Sequence, residues 1–526
     1  MEGSAVRRYL TRAKSLVANP RAALVAAAVV ALVAIAIRAY KLEFGLPYMR
    51  HPDEAHNIRH ALQLVNARDP NPHFFRYPSL IFYVNALAEL VYFWFAKLFG
   101  TLSLFSDIQP PYEYIWGVGI APSLAPFLIG RLLSLAFSSG TALLGFSIAR
   151  RLGGLRAGFL AGLVIALSPI NVANARYVTP DAMTTFFVTL TLFGAVALFE
   201  RGRVVDYCLA GAAAGLAAGS KYNGGLVAIA IVAAHFARPG CVKGLWRLCL
   251  AGATSALVFV ASTPYMLLDS ATFKRDLAIA KVRYSDTHSA MVLDNDGSLT
   301  FYVSYLYRME SIFIFLAGAF VLQAIVRRSR AHLFFSVFPT AYLAFISHYA
   351  VHNDRTLLPV VPALWIMAAV AFFVLLDFAV GFVKHRVVYA VIVAASLVTL
   401  AFALRGETIS SIVFAQIMAR HDVVDEAREW LDNNLPPGAR VAVEPHGPFV
   451  ATRFRVKGTP EFSSHSPSWY RARFDYLVLS SHVIYYADPV RNRRHIRSYD
   501  ALRRIFPPIK VFTGEAGTTV EVLRAN

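Results

Sequence analysis

Two adjacent carboxylates, Asp53 and Glu54, follow the first apolar stretch of the chain, within the sequence HPDEAH at positions 51–56. An acidic pair directly beyond an apolar helix can supply a general base, because a positioned carboxylate can take the proton of an attacking hydroxyl group. A solvated acidic loop is an equally simple explanation, since acidic loop residues have little influence on membrane topology. The function of this pair therefore depends on which other residues share its side of the membrane.

The histidines of the same segment also suggest metal binding. The spacing of His51, Glu54 and His56 matches neither His-Glu-x-x-His nor His-x-x-Glu-His, the helical patterns of the zinc peptidases. A polar loop with histidines is the simpler interpretation, so we predict no metal ligands here, although a divalent cation as cofactor stays open. No glycine-rich phosphate loop follows a predicted strand, so binding of ATP or of a soluble nucleotide sugar has no support.

The composition places these residues in a membrane protein. Hydrophobic residues make up 57% of the 526 residues and the mean hydropathy is +0.50, which excludes an ordinary soluble protein. The net charge of +19 could suggest nucleic acid, but in a polytopic membrane protein much of the Lys and Arg excess lies in inner-face loops. We therefore predict the lipid bilayer as a partner and no nucleic-acid partner. The cysteines, Cys208, Cys241 and Cys249, provide no disulfide framework.

Apolar runs long enough to cross about 30 Å of hydrocarbon predict a polytopic α-helical protein with about eleven transmembrane helices. The predicted spans are 22–40, 124–149, 157–174, 182–199, the split run 206–236, 248–267, 311–326, 332–348, 356–380 and 387–404. Residues 79–99 are assigned to the membrane interface, because a full crossing would place Arg150 and Arg151 on the outer side, against the distribution of Lys and Arg. The split run is predicted to break around Lys221, and broken helices at membrane depth line cavities or are buried in protein.

From about residue 406 the pattern becomes that of a soluble domain. Asp422–Leu431 is predicted as an amphipathic helix, residues 436–438 as a turn, and Arg440–Val443 and Tyr476–Leu479 as strands. The predicted division is a cytoplasmic N-terminus (1–21), a membrane domain (22–405) whose first outer loop (41–123) holds juxtamembrane helices, and a small α/β domain outside the cytoplasm (406–526). The last domain either recognises an acceptor or covers the cavity.

With this topology, five polar features share the outer face: Asp53-Glu54, Arg76-Tyr77-Pro78, residues 175–181, Lys221, and residues 352–355. Each has a simpler explanation: Asp181 can cap a helix, Lys221 can snorkel to the interface, Arg355 can anchor there, and Arg76 can be an ordinary loop charge. Their convergence favours a site. Transfer from a phosphate-linked lipid requires a base for the nucleophile and positive charge for the leaving phosphate.

The order of these motifs resembles the GT-C superfamily of glycosyltransferases, in particular the branch of the protein O-mannosyltransferases and aminoarabinose transferases. The resemblance covers about residues 20–405. It rests on the Asp-Glu pair, Arg-Tyr-Pro-Ser-Leu at 76–80, Ala-Arg-Tyr-x-x-x-Asp at 175–181, Ser-Lys-Tyr-x-Gly at 220–224 and Asn-Asp-Arg-x-Leu-Leu-Pro at 353–359. Where this chain has Arg76-Tyr77-Pro78-Ser79-Leu80, the aminoarabinose enzymes carry Lys-Pro-Pro-Leu and the mannosyltransferases His-Pro-Pro-Leu, so the role of Arg76 is less defined.

The resemblance implies a polyprenyl-phosphate-linked sugar as donor and a hydroxyl acceptor on a lipid, glycan or protein. By motif, Asp53 would be the general base, Glu54 would orient Asp53 or the acceptor, and Asp181 would line the same cavity. The attack would displace the lipid phosphate with inversion at the anomeric carbon. Lys221 and Arg355 would bind this phosphate, with Arg76 a weaker candidate. The other cavity candidates are His51, Tyr77, Tyr222 and His352.

Two alternatives stay open. A transporter or flippase of a polyprenyl-linked sugar would also have broken helices and intramembrane charge, although charges clustered at one face and the lack of an internal repeat favour a transferase. A metal-dependent enzyme resembling an oligosaccharyltransferase is the second alternative. The predicted location is the inner membrane, with the C-terminal domain in the periplasm.

Overall fold

The computed structural model describes residues 20–49, 51–115, 117–282, 298–349, 352–381, 383, 386–419, 423–480, 492–514 and 519–526. Most of the predicted N-terminal segment, 1–21, lies outside the described residues; residues 20 and 21 begin the first helix. The described chain consists mainly of helices, and a small mixed sheet lies at its C-terminal end.

The helices of the membrane domain follow one another with few strands between them. After α1 (Pro20–Ala39), the first outer loop forms α2 (Pro52–Asn66), α3 (Leu80–Leu98) and an antiparallel hairpin of β1 (Tyr112–Ile115) and β2 (Val118–Ile120). The chain continues with α4 (Ala125–Gly153), α5 (Leu155–Leu167), α6 (Pro169–Asn174), α7 (Pro180–Arg201), α8 (Val204–Ser220), α9 (Ala228–Ala237), α10 (Leu245–Ser262), α11 (Tyr265–Leu268) and α12 (Ser270–Val282). It ends with α13 (Ser298–Tyr305), α14 (Leu316–Val326), α15 (Arg330–Ile346), α16 (Asp354–Leu357), α17 (Val361–Gly381) and α18 (Arg386–Ala419).

The number of apolar helices agrees with the predicted topology. Within the described residues, seven helices are long and apolar enough to cross a membrane, and five shorter apolar helices accompany them. Setting α3 aside leaves eleven, the predicted number of spans. In α3, Asn85 and Glu89 are buried while Leu87 and Trp94 are largely exposed, so the helix is two-sided. Its length and composition also suit a crossing, and its position in the interface stays a prediction.

The predicted break around Lys221 is confirmed. Helix α8 ends at Ser220, Lys221 has an extended backbone with φ −154° and ψ 134°, and a 3-10 turn over Tyr222–Val227 leads into α9. Glycine is required at position 224, because a Cβ atom there would lie 2.5 Å from the carbonyl oxygen of Ala217. Lys221 therefore extends from the end of a helix, at the gap between two helical segments.

A second break divides the predicted span 157–174 into α5 and α6, which the sequence analysis did not anticipate. The guanidinium of Arg38 donates to the carbonyl oxygen of Ala166, 2.7 Å away, at the C-terminal end of α5. The carboxylate of Glu310 accepts from the backbone N–H of Ile170, 3.0 Å away, at the start of α6. The free backbone groups at the ends of a broken helix need partners in an apolar layer. Arg38 and Glu310 supply such partners and thus stabilise the break.

The last membrane helix is longer than predicted. Helix α18 continues to Ala419, so the predicted boundary at residue 406 falls inside it. The polar residues 405–407 suggested the end of the span, but a helix continues beyond its apolar part at no cost in backbone hydrogen bonds, since these are internal to the helix. The described part of the C-terminal domain begins at Val423.

The C-terminal domain is a small α/β unit, as predicted. Its elements are α19 (Val423–Asn434), β3 (Arg440–Val443), β4 (Arg455–Gly458), α20 (Pro467–Arg473), β5 (Tyr476–Leu479), α21 (Arg493–Ile505), β6 (Pro508–Thr513) and β7 (Thr519–Arg524). The sheet has the order β4-β3-β5-β7-β6; β3 is parallel to β4 and β5, and β7 is antiparallel to β5 and β6. The predicted amphipathic helix and both predicted strands are confirmed.

The hairpin of the first outer loop connects the two domains. Val118 of β2 is buried in the core of the C-terminal domain. The ring of Tyr114 stacks on Phe449 at 5.2 Å, and its hydroxyl donates to the carbonyl oxygen of Val450 at 2.9 Å. On the other side, the backbone N–H of Met49 donates to the carbonyl oxygen of Gly119. The C-terminal domain is therefore attached to the segment that leads directly into α2.

Candidate active site

Four predicted site residues form one chain of alternating charges. The guanidinium of Arg355 lies 2.8 Å from Oδ2 of Asp53 and 3.9 Å from Oδ2 of Asp181. Oδ1 of Asp181 accepts from Nζ of Lys221 at 2.8 Å. Two carboxylates and two cations, brought together from four separate parts of the sequence, thus balance one another within one cluster.

Helix ends position the two carboxylates. Asp53 lies in the first turn of α2, which has Pro52 at its start, and Nδ1 of His51 accepts from the backbone N–H of Asp53 at 3.2 Å. Asp181 lies in the first turn of α7, directly after Pro180. Proline is well suited to the first helical position, and the N-terminal end of a helix stabilises negative charge. Both acids therefore lie at a helix N-terminus and beside a cation.

Solvent access distinguishes the two acids. The side chain of Asp53 is 14% exposed and that of Asp181 is 4% exposed, while those of Arg355 and Lys221 are 28% and 15% exposed. A general base must reach the proton that it removes. Of the two carboxylates, Asp53 is better placed to meet an incoming acceptor, and Asp181 is better placed to orient the cations.

The electrostatics of the cluster favour a charged Arg355 and a neutral His51. Burial alone would lower the pKa of Arg355, but the carboxylates of Asp181 and Asp53 raise it overall. Burial lowers the pKa of His51, and this effect outweighs the attraction of the nearby carboxylates. Nδ1 of His51 accepts from the backbone N–H of Asp53, and its Nε2 lies 3.5 Å from the guanidinium of Arg355. His51 packs on Tyr177, with 4.6 Å between the ring centres.

Glu54 lies in a different environment from its neighbour. Both of its carboxylate oxygens accept from Arg131 on α4 at 2.9 Å, and both side chains are fully buried. Arg131 also donates to the carbonyl oxygens of Leu42 and Phe44 and stacks over the Phe44 ring. The Glu54–Arg131 pair joins α2 to α4 and to the segment directly after α1. Both carboxylate oxygens of Glu54 are already engaged in hydrogen bonds.

Helix α2 also holds the segment that precedes Asp181. Oε1 of Glu54 accepts from the backbone N–H of Val178 at 3.1 Å, and Nδ2 of Asn57 donates to the carbonyl oxygen of Val178 at 2.8 Å. Val178 lies three residues before Asp181. The two hydrogen bonds thus fix the start of α7 relative to the start of α2, which sets the position of Asp181 relative to Asp53.

A family model and one curated protein match parts of the chain. Residues 123–267 match the family model of the dolichyl-phosphate-mannose-protein mannosyltransferases, a segment that includes Asp181 and Lys221. An uncharacterized protein of Aquifex aeolicus (strain VF5) is 38% identical over 88 residues, which are 16% of this chain and 18% of the relative. The matched stretch thus covers less than a fifth of that protein.

Solved structures resemble nearly the whole chain. The oligosaccharyltransferase AglB from Archaeoglobus fulgidus, in complex with an inhibitory peptide and a dolichol-phosphate, superposes with a TM-score of 0.60 at 12% identity, over 95% of this chain and 74% of AglB. ArnT from Cupriavidus metallidurans in the apo state superposes with a TM-score of 0.54 at 16% identity, over 96% of this chain and 97% of ArnT. The chain has the GT-C fold. The resemblance predicted from the sequence motifs is thereby confirmed. ArnT bound to undecaprenyl phosphate also matches, with a TM-score of 0.50 at 15% identity, over 96% of this chain and 97% of ArnT.

The four remaining predicted residues occupy different positions in this GT-C fold. Tyr77 lies close enough to Arg355 to contribute to the raised pKa of its guanidinium. The hydroxyl of Tyr222 donates to the carbonyl oxygen of Phe75 at 2.8 Å, so Tyr222 binds the backbone of the loop before Arg76. Within the described residues, Nε of Arg76 is buried without a hydrogen-bond partner. His352, in the segment before α16, is 4% exposed and packs on Phe301 of α13 with 4.4 Å between the ring centres.

The sequence analysis missed three residues around the site. Arg131 could have been found, because an arginine inside an apolar span needs a buried partner. Asp276 lies on α12, in a stretch of sequence with no recognisable motif. His446 belongs to the C-terminal domain, and its Nδ1 lies 3.1 Å from the position of a Cβ atom at Gly117. Burial lowers the pKa of His446, and proximity to His51 lowers it further, so the C-terminal domain approaches the start of α2 closely.

A divalent cation finds no evident binding site in the described part of the GT-C fold. Among these residues, no group of three or more His, Cys, Asp or Glu side chains has an arrangement that could hold a metal ion. The carboxylates of Asp53 and Asp181 are paired with Arg355 and Lys221. The negative charge of both carboxylates is therefore matched by cationic side chains.

Proposed function

We propose that the protein is an inverting glycosyltransferase of the GT-C type. It moves a monosaccharide, a hexose or a pentose, from a polyprenyl-phosphate carrier to a hydroxyl group on a lipid, glycan or protein at the outer face of the membrane. The observation that carries this proposal is the cluster of Asp53, Arg355, Asp181 and Lys221, which unites an accessible carboxylate with two cations in a fold shared with enzymes solved in complex with polyprenyl phosphates.

In this proposal Asp53 removes the proton of the acceptor hydroxyl group. The acceptor oxygen then bonds to the anomeric carbon on the face opposite the lipid phosphate. The bond between the anomeric carbon and the phosphate oxygen breaks, and its electron pair leaves with the phosphate. A positioned base contributes about 10²- to 10⁴-fold to the rate.

Arg355 links proton removal to departure of the phosphate. It lies 2.8 Å from Oδ2 of Asp53, so its positive charge is shared with this carboxylate before the reaction. Once Asp53 is protonated, Arg355 attracts the leaving phosphate more strongly, because the competing negative charge has been neutralised. Lys221 provides the second cation, and Asp181 holds both cations in place.

The lipid part of the donor reduces what the protein must recognise. Each CH₂ group of a polyprenyl chain buried in the bilayer contributes about 0.8 kcal/mol to membrane binding. The protein therefore needs to bind mainly the sugar and the phosphate. Tyr77 and His51 lie beside Arg355 and are proposed to line this part of the cavity, with Arg76 as an additional cation for the phosphate.

The test uses the full chain in lipid vesicles with a panel of undecaprenyl-phosphate-linked hexoses and pentoses and a mixture of candidate hydroxyl acceptors from the cell envelope. The wild-type protein should release undecaprenyl phosphate and form a glycosylated acceptor. Asp53→Asn should retain binding of undecaprenyl phosphate and lose transfer. Full transfer by Asp53→Asn would contradict its assignment as the base, and movement of the donor across the bilayer without transfer would identify a flippase.

The proposed topology has the N-terminus in the cytoplasm and the C-terminal domain in the periplasm, in the inner membrane. Single cysteines placed at Gly100 and Tyr112, on either side of the loop after α3, should react with a membrane-impermeant maleimide added from the periplasmic side. Reaction from the cytoplasmic side alone would show that α3 crosses the membrane and would reverse the orientation of every later helix.

A further inference from the structure

The loop between α2 and α3 is held at one residue, Phe75, from two sides. The backbone N–H of Phe75 donates to Oδ2 of Asp276 on α12 at 2.9 Å. Its carbonyl oxygen accepts from the hydroxyl of Tyr222 at 2.8 Å. The residues Phe75 and Asp276 are 1% and 2% exposed. Such buried hydrogen bonds are protected from competition by water, and loss of either partner leaves a buried polar group unsatisfied.

The residues next to this contact are cations of the proposed donor site. Arg76 follows Phe75 directly, and Lys221 precedes Tyr222 directly. A single hydrogen bond between Tyr222 and Phe75 therefore joins the two segments that present these cations. Lys221 lies at the break between α8 and α9, where its backbone N–H donates to Ala217 of α8 and its carbonyl oxygen accepts from Gly224 of the 3-10 turn. These bonds fix its backbone locally, and the tertiary contact at the adjacent Tyr222 links it to the loop before Arg76.

Helix α12 supplies the second half of the contact. Oδ1 of Asp276 accepts from the guanidinium of Arg275 at 2.9 Å, while Oδ2 is directed to Phe75. The ring of Phe273, on the same helix, lies 6.0 Å from Phe75 and 6.4 Å from Tyr222. The three aromatic rings and the two hydrogen bonds thus form one packed unit. In this unit α12 contacts both the loop between α2 and α3 and the break between α8 and α9.

We propose that Tyr222 and Asp276 are positioning residues that set the separation of Arg76 and Lys221, and thereby the affinity for the phosphate of the lipid-linked donor. This inference rests on the proposed function, since it assigns these two cations to the donor phosphate. Neither Tyr222 nor Asp276 contacts the reacting atoms. Their substitution therefore changes the Kd for polyprenyl phosphate and the KM for the donor, and leaves kcat at saturating donor nearly unchanged.

The first test measures the Kd of undecaprenyl phosphate itself, used as the probe, for the full chain in lipid nanodiscs. Tyr222→Phe removes one hydroxyl group and should weaken binding by roughly 2- to 10-fold, the effect expected for one hydrogen bond. Tyr83→Phe is the matched control, because the Tyr83 hydroxyl donates to the carbonyl oxygen of Pro70 in the same loop, at 3.0 Å, away from Arg76. It should retain the wild-type Kd. Equal Kd values for all three proteins would overturn the inference.

The second test separates positioning from general loss of structure. Asp276→Asn keeps an oxygen that can accept from Phe75 and should bind nearly as well as the wild type, whereas Asp276→Ala should weaken binding by roughly 2- to 10-fold. In the double variant Tyr222→Phe with Asp276→Ala, the loss of affinity should be smaller than the product of the two single losses, because both substitutions act on Phe75. The inference would be contradicted if the Kd changes of the two single variants multiplied in the double variant. It would also be contradicted if kcat fell while the KM for the donor stayed unchanged.

The two proposals can fail separately. If the wild-type protein transfers a sugar and binds undecaprenyl phosphate while Tyr222→Phe and Asp276→Ala bind it equally well, the proposed function stands and the positioning role falls. If the wild-type protein neither transfers a sugar nor binds undecaprenyl phosphate, both proposals fall.

Discussion

Asp53 and Glu54 are neighbours in the sequence and in the same helical turn, but they lie in opposite environments. Asp53 is directed to Arg355, and both side chains retain some exposure. Glu54 is directed to Arg131, and both of those side chains are fully buried. Because Asp53 and Arg355 are partly exposed, each can contact another molecule without leaving a buried charge unpaired. Glu54 and Arg131 differ in this respect, because removal of either charge would leave the other buried and unpaired.

The difference shows how one charged pair assists another. Through Val178, Glu54 fixes the start of α7, and it does so beside the residue that is proposed to act as the base. The buried pair therefore determines the geometry between Asp53 and Asp181, whereas the partly exposed pair of Asp53 and Arg355 is the one proposed to take part in the chemistry. We expect substitutions at the two positions to have different signatures, in turnover for Asp53 and in stability for Glu54.

The largest expected effect is that of Asp53→Asn on turnover. Loss of the base should reduce kcat by about 10²- to 10⁴-fold, equivalent to about 3 to 5 kcal/mol in the activation barrier. The Kd of undecaprenyl phosphate should stay the same or fall, because loss of the Asp53 charge leaves Arg355 freer to attract the phosphate, and the thermal unfolding temperature should stay near that of the wild type. If Asp53→Asn instead lowered the unfolding temperature, or weakened donor binding as much as it lowered kcat, Asp53 would have a structural role like that of Glu54.

Glu54→Gln tests the other side of the comparison. It leaves Arg131 buried without a counter-charge, which should lower the free energy of unfolding by about 3 to 5 kcal/mol, as measured by denaturant titration of the full chain in mild detergent. The double substitution Glu54→Leu with Arg131→Met should recover much of this loss, because replacing both partners by apolar groups is often neutral. A stable Glu54→Gln protein with wild-type activity would show that the pair has no structural role.

Lys221→Met should have an intermediate effect, mainly on donor binding. Removing a charged hydrogen-bond donor to the phosphate should weaken binding of undecaprenyl phosphate by roughly 10- to 100-fold, corresponding to about 1.5 to 3 kcal/mol. Asp181 keeps a second cation, Arg355, at 3.9 Å, so the fold should persist. An unchanged Kd would indicate that Lys221 only anchors the chain at the membrane interface.

A smaller effect concerns His56, one turn further along α2. Burial lowers its pKa to about 3, with a contribution from His60. Since the unfolded chain binds the proton near pH 6.5, the stabilising contribution of His56 is complete above about pH 6.5 and is lost as the pH falls toward 3. The slope is at most about 1.4 kcal/mol per pH unit. In denaturant titrations at pH 7 and pH 5, His56→Phe should lose less stability on acidification than the wild type, and an identical loss would contradict a buried neutral His56.

The apolar runs were sufficient to predict most of the helices, because a span needs a long stretch of apolar residues and little else. The break at Lys221 was also readable, since several glycines and a lysine interrupt one such run. The break between α5 and α6 was not. It depends on Arg38 and Glu310, which come from distant segments to stabilise the free helix ends, and local composition carries no information on such partners.

The sequence by itself determined the class of the protein, the order of its apolar helices, the α/β pattern of the C-terminal domain and the residue types of the candidate site, because these follow from periodicity, length and short motifs. Only the tertiary structure decided which acid meets which cation. Asp53 and Glu54 have the same charge and adjacent positions, but successive residues of a helix point about 100° apart, and the elements packed on each side give one of them an exchangeable partner and the other a permanent one.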